Sequence, residues 1–395
     1  MKSQNQTTKY KRNFGLDILR FTAIVIVLMN HGYIGFFIGS GLSKWGGWQA
    51  IVSVCAVFSI EWLLVLGGYL IGAMMIRSFE VRKGWMASAR DFWARRWFRT
   101  VPNYYAFLAF NMVLLAWGVE KGAFDWKFLV FSQSLAWPQD KPYFYSESWS
   151  LALDEWFYFL TPVLLGVAAW IFRKSRKNQF LAVALLLIIV PALARIGVSG
   201  VADVWDWDER VRRISLLHLD STGWGVLAAI MNRWHSAWWH SRMREKAWFG
   251  LALTLLAIAG TAGLMTYGWQ VFAHGRLNDL VLIVAPAAGM AFMLPWLSSI
   301  RPSMPWQSQF MTRAADYSYS IYLAHLPVQM LMLHLLHFYQ IDVKENIGFF
   351  FILWILLVVG LSMLVFHVFE KPVSDLRDRF TKKVEAGPFG MQENT

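Results

Sequence analysis

Ten stretches of this chain are apolar over the thickness of a bilayer, and this constrains its fold more than any motif does. A hydrocarbon core is spanned by about 20 helical residues. The stretches lie near 15–36, 50–76, 100–118, 149–172, 178–197, 217–232, 248–267, 278–298, 317–338 and 347–369. The expected fold is all-α, a polytopic transmembrane helical bundle of about ten membrane helices. Composition agrees: 57% of the 395 residues are hydrophobic and 16% charged, against about 45–50% and about 25% in soluble domains.

The formal net charge of +12 is explained by topology rather than by a nucleic-acid partner, because Lys and Arg collect at the ends of the apolar runs. With the N-terminus inside, the cytoplasmic segments hold 26 Lys and Arg and the outer segments ten. That asymmetry places both termini in the cytoplasm. The chain then divides into an N-terminal tail (1–14), a transmembrane domain (15–370) and a C-terminal tail (371–395). The basic start "KYKR" is followed by no small-residue cleavage pattern, so no cleavable signal peptide is expected. The single cysteine, Cys55, can form no internal disulfide. No 20–50-residue repeat is visible, nor is an inverted pair of broken helices of the transporter kind.

Polar residues inside these runs carry the functional signal. Charges at mid-membrane cost about 2.5–3.5 kcal/mol each on insertion scales and normally face a cavity or a partner. In "LDILRFTAIVIVLMNHG", Arg20 and His31 are 11 residues apart. That is about 20° past three full turns, so they share a face, roughly 16 Å apart along the axis. Asp17, three residues before Arg20, is within ion-pair reach. These three form a polar stripe for chemistry, or they are interface anchors. In "ARRWFRTVPNYY", Arg95, Arg96 and Arg99 stand at the inner end of the third span. Arg96 and Arg99 share a helix face and are spaced to clamp a phosphate, or serve as positive-inside anchors.

In "SESWSLALDEWFYFLTP", Asp154 and Glu155 lie about one turn inside a span. They are placed to orient a histidine or hold a sugar hydroxyl, or are solvated at the outer interface. In "YSYSIYLAHLPV", Ser318, Ser320, Tyr322 and His325 form a polar run, with helix–helix hydrogen bonding as the plain alternative. Glu61 pairs with Arg20 or lines the same cavity. His218 and Asp220 stand at the outer mouth of the sixth span, placed to contact an acceptor or simply at the interface.

Taken together, these elements resemble the acyltransferase-3 family of integral membrane acyltransferases. The Arg–ten residues–His spacing of the first helix resembles that family's, and "RRWFR" with the following "VP" is similar to its Arg-x-x-Arg element. "WSLALDEWFYFLTP" resembles its Trp-Ser-Leu-x-x-Glu-x-x-Phe-Tyr motif, and "YSYSIYLAHLPV" and "FEKPV" also resemble family motifs. The likeness runs from Leu16 to Pro372. Two departures stand out. Asp154 occupies the motif's usual Glu position, with Glu155 next, and the family's Ser-Gly pair of the second helix reads Gly67-Gly68.

The resemblance implies acyl transfer, usually of acetyl, from cytosolic acyl-CoA to a hydroxyl of a carbohydrate or lipid-linked glycan. It further implies a bacterial plasma (inner) membrane, a catalytic pair Arg20 and His31, and an acyl donor near Arg96 and Arg99, with no metal. On this reading His31 acts as general base or accepts the acyl group itself. Arg20 neutralises charge on the donor or the oxyanion, Asp17 holds Arg20, and Asp154 or Glu155 orients His31 or binds the sugar. The competing class is a glycan or small-molecule transporter or flippase, which would need no acyl-CoA.

Overall fold

The computed structural model describes residues 12–42, 48–81, 84–267 and 277–376. Within these residues there is no strand. Helix α1 (Phe14–Gly32) starts where the Asn13 side chain accepts from the Leu16 amide, and a π-turn (Tyr33–Ile38) continues it. Long helices α2 (Trp48–Val81) and α3 (Trp85–Ala116) follow, then α4 (Ser148–Ile171) and α5 (Arg176–Ile196). A short α6 (Val204–Trp207) and a π-turn (Asp208–Arg212) lead to α7 (Asp220–Trp234) and the small α8 (Ser236–His240). Helix α9 (Met243–Tyr267) is followed by α10 (Ala285–Ser299) and α11 (Pro305–Phe338). Helix α12 (Ile347–Val365) then runs through a π-turn (Phe366–Glu370) into α13 (Lys371–Leu376).

Every expected span contains a helix, and eight helical stretches of the described residues are long and apolar enough to cross a membrane. The two others are α3 and α7. Helix α3 is 32 residues long and carries the arginine cluster. Helix α7 has 15 residues, about 22 Å of helix against a core of about 30 Å. The third span was expected to begin at residue 100, yet α3 begins at Trp85. Hydropathy missed its first half because the charges there face protein: Asp91 binds Arg95 at 2.9 Å. Arg95, Arg96 and Arg99 therefore stand in the middle of a helix that runs on past the expected span. Helix α11 likewise starts early, with Pro305 in the first turn, where a missing N–H costs nothing. The outer-loop Lys44 and Arg276, the N-terminal tail before Arg12, and the tail after Leu376 fall outside the described residues.

Small residues set the closest contacts. A methyl group at Gly68 would lie 2.1 Å from the Thr222 carbonyl oxygen, so α2 and α7 touch backbone to backbone there. At the neighbouring Gly67 nothing lies within 4 Å. The departure from Ser-Gly thus falls where a side chain would have room. Helix α1 packs on α2, α10 and α11, and α11 packs on α3 and α12. This places α1 between the two main apolar clusters, one built mainly on α2, α4, α5, α7 and α10 and the other on α3, α11 and α12.

Candidate active site

His31 and His325 meet at the C-terminal end of α1 and the middle of α11. His31 Nδ1 lies 2.7 Å from His325 Nε2. The ring planes differ by 6° with centroids 4.9 Å apart, so the rings meet edge to edge through this bond. His325 Nδ1 is 2.6 Å from the Tyr322 carbonyl oxygen. A carbonyl only accepts, so His325 carries its proton on Nδ1 and accepts on Nε2. His31 must then donate from Nδ1, which leaves the lone pair on its Nε2. Two further bonds hold the dyad: Trp354 Nε1 donates to the His325 carbonyl and Gln329 Nε2 to the His31 carbonyl, both at 3.0 Å. Gly32 makes room for the first of these, since a methyl there would sit 2.4 Å from the Trp354 ring.

His31 lines a cavity of about 190 Å³. One wall is apolar, from α2 and α9, and the opposite wall is polar and aromatic. The polar wall carries Trp149, Tyr322, Asp208, Arg212 and Arg213. Arg212 Nη1 bonds Asp208 at 2.5 Å, and Arg213 bonds the other Asp208 oxygen at 2.7 Å. Burial opposes the Asp208 charge, but Arg213 and Arg212 outweigh it and hold its carboxyl below the usual range. Glu147, whose residue also borders the cavity, is buried, and its carboxyl oxygens make no hydrogen bond of good geometry. Burial, with Glu120 nearby, pushes its carboxyl up to about 8.

A second cluster lies toward the other end of α1. Arg20 forms an ion pair with Asp17 at 3.7 Å, as its spacing predicts. Arg99 and Arg96 are its electrostatic neighbours. Arg96 lies over the Tyr158 ring, 5.3 Å from its centroid, and Asp154 and Glu155 are its nearest acids. Glu155 accepts from Thr100 Oγ1 at 2.5 Å. Arg95 is engaged by Asp91 on its own helix. Ser320 donates to Glu370 at 2.6 Å, and Asn103 donates to both.

Several expectations change on this geometry. Asp154 and Glu155 stand with Arg96 and Thr100, and the orienting partner of His31 is His325. Tyr322 Oη bonds Ser150 at 2.6 Å, and the Tyr322 carbonyl fixes the dyad. Ser318 bonds the Ala315 carbonyl within its helix. Glu61 does not pair with Arg20. It is fully buried and bonds His218 at 2.8 Å, Ser221 at 2.6 Å and Arg212 at 3.3 Å. His218 and Asp220 are 0% exposed, and Asp220 pairs with Arg195 at 2.7 Å, so neither can meet an acceptor. Their low surrounding hydropathy suggested a mouth, but it reflects a paired interior network.

Sequence reading passed over Asp208, Arg212, Arg213, Glu120 and Glu147. The available signal was the i, i+4 spacing of Asp208 and Arg212 in "DWDERVRR".

The described residues thus form a helical bundle in which a histidine dyad stands beside a cavity and arginines of α1 and α3 gather toward the other end of α1. The acyltransferase domain model of the acyltransferase-3 type matches residues 13–368. The chain belongs to that family and is a membrane acyltransferase. No curated protein and no solved structure matches it.

Proposed function

We propose that the protein moves an acyl group, acetyl in the first instance, from cytosolic acyl-CoA to a hydroxyl of a carbohydrate in an exported polysaccharide or glycolipid. The membrane would be a bacterial plasma membrane, with both termini cytoplasmic. The observation that carries this reading is the tautomer of the dyad: an uncharged His31 with Nε2 free beside a cavity. The acceptor hydroxyl gives its proton to Nε2 while its oxygen attacks the thioester carbonyl. The tetrahedral oxyanion collapses, the C–S bond breaks, and the CoA thiolate recovers the proton from His31. His325 keeps the ring aimed throughout by accepting from Nδ1.

Arg20, Arg96 and Arg99 supply the donor end. Guanidinium groups grip phosphates through paired, charge-assisted bonds. The roughly 16 Å of α1 between Arg20 and His31 is a length that an extended pantetheine arm spans. Arg20 therefore serves the CoA phosphates rather than the oxyanion, and Asp17 steadies it. Asp154 and Glu155 balance Arg96.

The test is the ester content of the host's surface glycan in a deletion strain complemented with wild type or His31→Ala at equal expression. Wild type restores acyl esters and the variant lowers their formation about 10²–10⁴-fold. Equal restoration by both removes His31 from the chemistry.

A further inference from the structure

The oxyanion of the proposed reaction forms within bonding distance of the acceptor oxygen held by His31 Nε2, and something must stabilise it. Arg20 is roughly 16 Å away along the same helix. The cavity that His31 lines has two cationic side chains among its described residues, Arg212 and Arg213. Arg212 is held by two acids and is 5% exposed, with only its Nη2 unbonded among the described residues. Its Nε bonds Glu61 at 3.3 Å, its Nη1 bonds Asp208 at 2.5 Å, and its plane lies 4.7 Å from the Trp149 ring centroid.

Arg213 is different. Its Nε and Nη2 both rest on the one Asp208 oxygen at 2.7 Å. Its plane lies 5.4 Å from the Tyr143 ring centroid. Its Nη1 has no hydrogen bond among the described residues and is not among the enclosed, unpartnered atoms, so its two protons face open space. The side chain is 28% exposed. Arg213 and His31 line the same cavity.

We propose that Arg213 is the oxyanion-stabilising residue: Nη1 donates to the thioester carbonyl oxygen as negative charge builds on it, and Asp208 aims the guanidinium. Arg213 keeps its protons throughout; no bond to it forms or breaks. This rests on the acyl-transfer reading above. A pre-aimed donor of this kind is worth about 10²–10³ in rate. A planar fork fixed on one side by a carboxylate and open on the other suits the role better than a flexible ammonium.

The experiment compares wild type, R213Q and R213K in the complemented deletion strain, following the rate of ester appearance after induction. Thermal stabilisation of each purified protein by acetyl-CoA is read alongside. The expected result is a 100- to 1,000-fold lower rate for R213Q, a rate for R213K at least tenfold above that of R213Q, and acetyl-CoA stabilisation like wild type in both. A loss under tenfold in R213Q overturns the proposal while leaving the acyl-transfer reading standing. So does an R213K as inactive as R213Q with acetyl-CoA stabilisation gone from both, since that marks a folding role. A wild type that restores no ester removes the acyl-transfer reading itself, and the role of Arg213 with it.

Discussion

Nδ1 of His31 and Nε2 of His325 lie 2.7 Å apart, and the carbonyl behind His325 decides which of them owns the proton. Replacing His325 by Ala leaves His31 free to turn and to carry its proton on either nitrogen. Turnover is expected to fall about 10²-fold or more, since a general base is worth that much only when correctly aimed. The KM for acyl-CoA should stay within a few-fold, because the arginines of α3 are untouched. Steady-state kinetics in lipid nanodiscs separate the two parameters, and a change confined to KM would move His325 out of the base's support.

Arg96→Ala and Arg99→Ala should show the reverse pattern. Each lost charge-assisted contact to a phosphate is worth about 1.5–3 kcal/mol, or about 10–150-fold in KM for acyl-CoA. Arg95→Ala, which breaks the pair with Asp91 on the same helix, should leave KM nearly unchanged. Equal effects from all three would mean general positive-inside anchoring.

Arg195 and Asp220 are a stability prediction, not a catalytic one. Their side chains are 1% and 0% exposed and lie 2.7 Å apart. Removing one member of a buried pair strands the other charge and costs about 3–5 kcal/mol. Arg195→Met, which leaves the buried Asp220 carboxylate alone, is expected to lower the melting temperature in detergent far more than Arg195→Met with Asp220→Leu together. A mild single variant would contradict the pairing.

Glu147 gives a pH signature. Its carboxyl is pushed up to about 8 by burial, then by Glu120, itself raised to about 7 by burial. A carboxyl with a folded pKa above its unfolded value favours folding most at low pH. That contribution is complete below the unfolded value near 4.5 and is lost as pH rises toward 8. Wild-type stability should therefore fall between about pH 5 and 8. Glu147→Gln, which cannot ionise, should flatten that slope, as read by melting temperature against pH. An unchanged slope would place the titration elsewhere.

The helices were legible because apolar runs of bilayer length leave little choice, and the errors have one cause. Hydropathy treats a charge as solvated. It therefore began the third span at residue 100, past the arginines, whereas helix α3 itself begins at Trp85, and it put His218 and Asp220 at a mouth. Asp220 is neutralised by Arg195 and Glu61 by Arg212, neighbours distant in sequence. The pairing of Asp17 with Arg20 was legible because three residues on a helix is a local geometry. The pairing of His31 with His325 joins positions 294 apart, and no local periodicity encodes it.

Gly32 sits beside His31, and its missing side chain admits the Trp354 ring. Arg20 and His31 are carried by one uninterrupted rod of hydrogen-bonded turns. Neighbouring helices can tilt or slide against that rod without stretching it. On the acyl-transfer reading proposed above that rod is a ruler: inserting or deleting residues between positions 20 and 31 would change the donor reach and turn His31 away from His325 in one step.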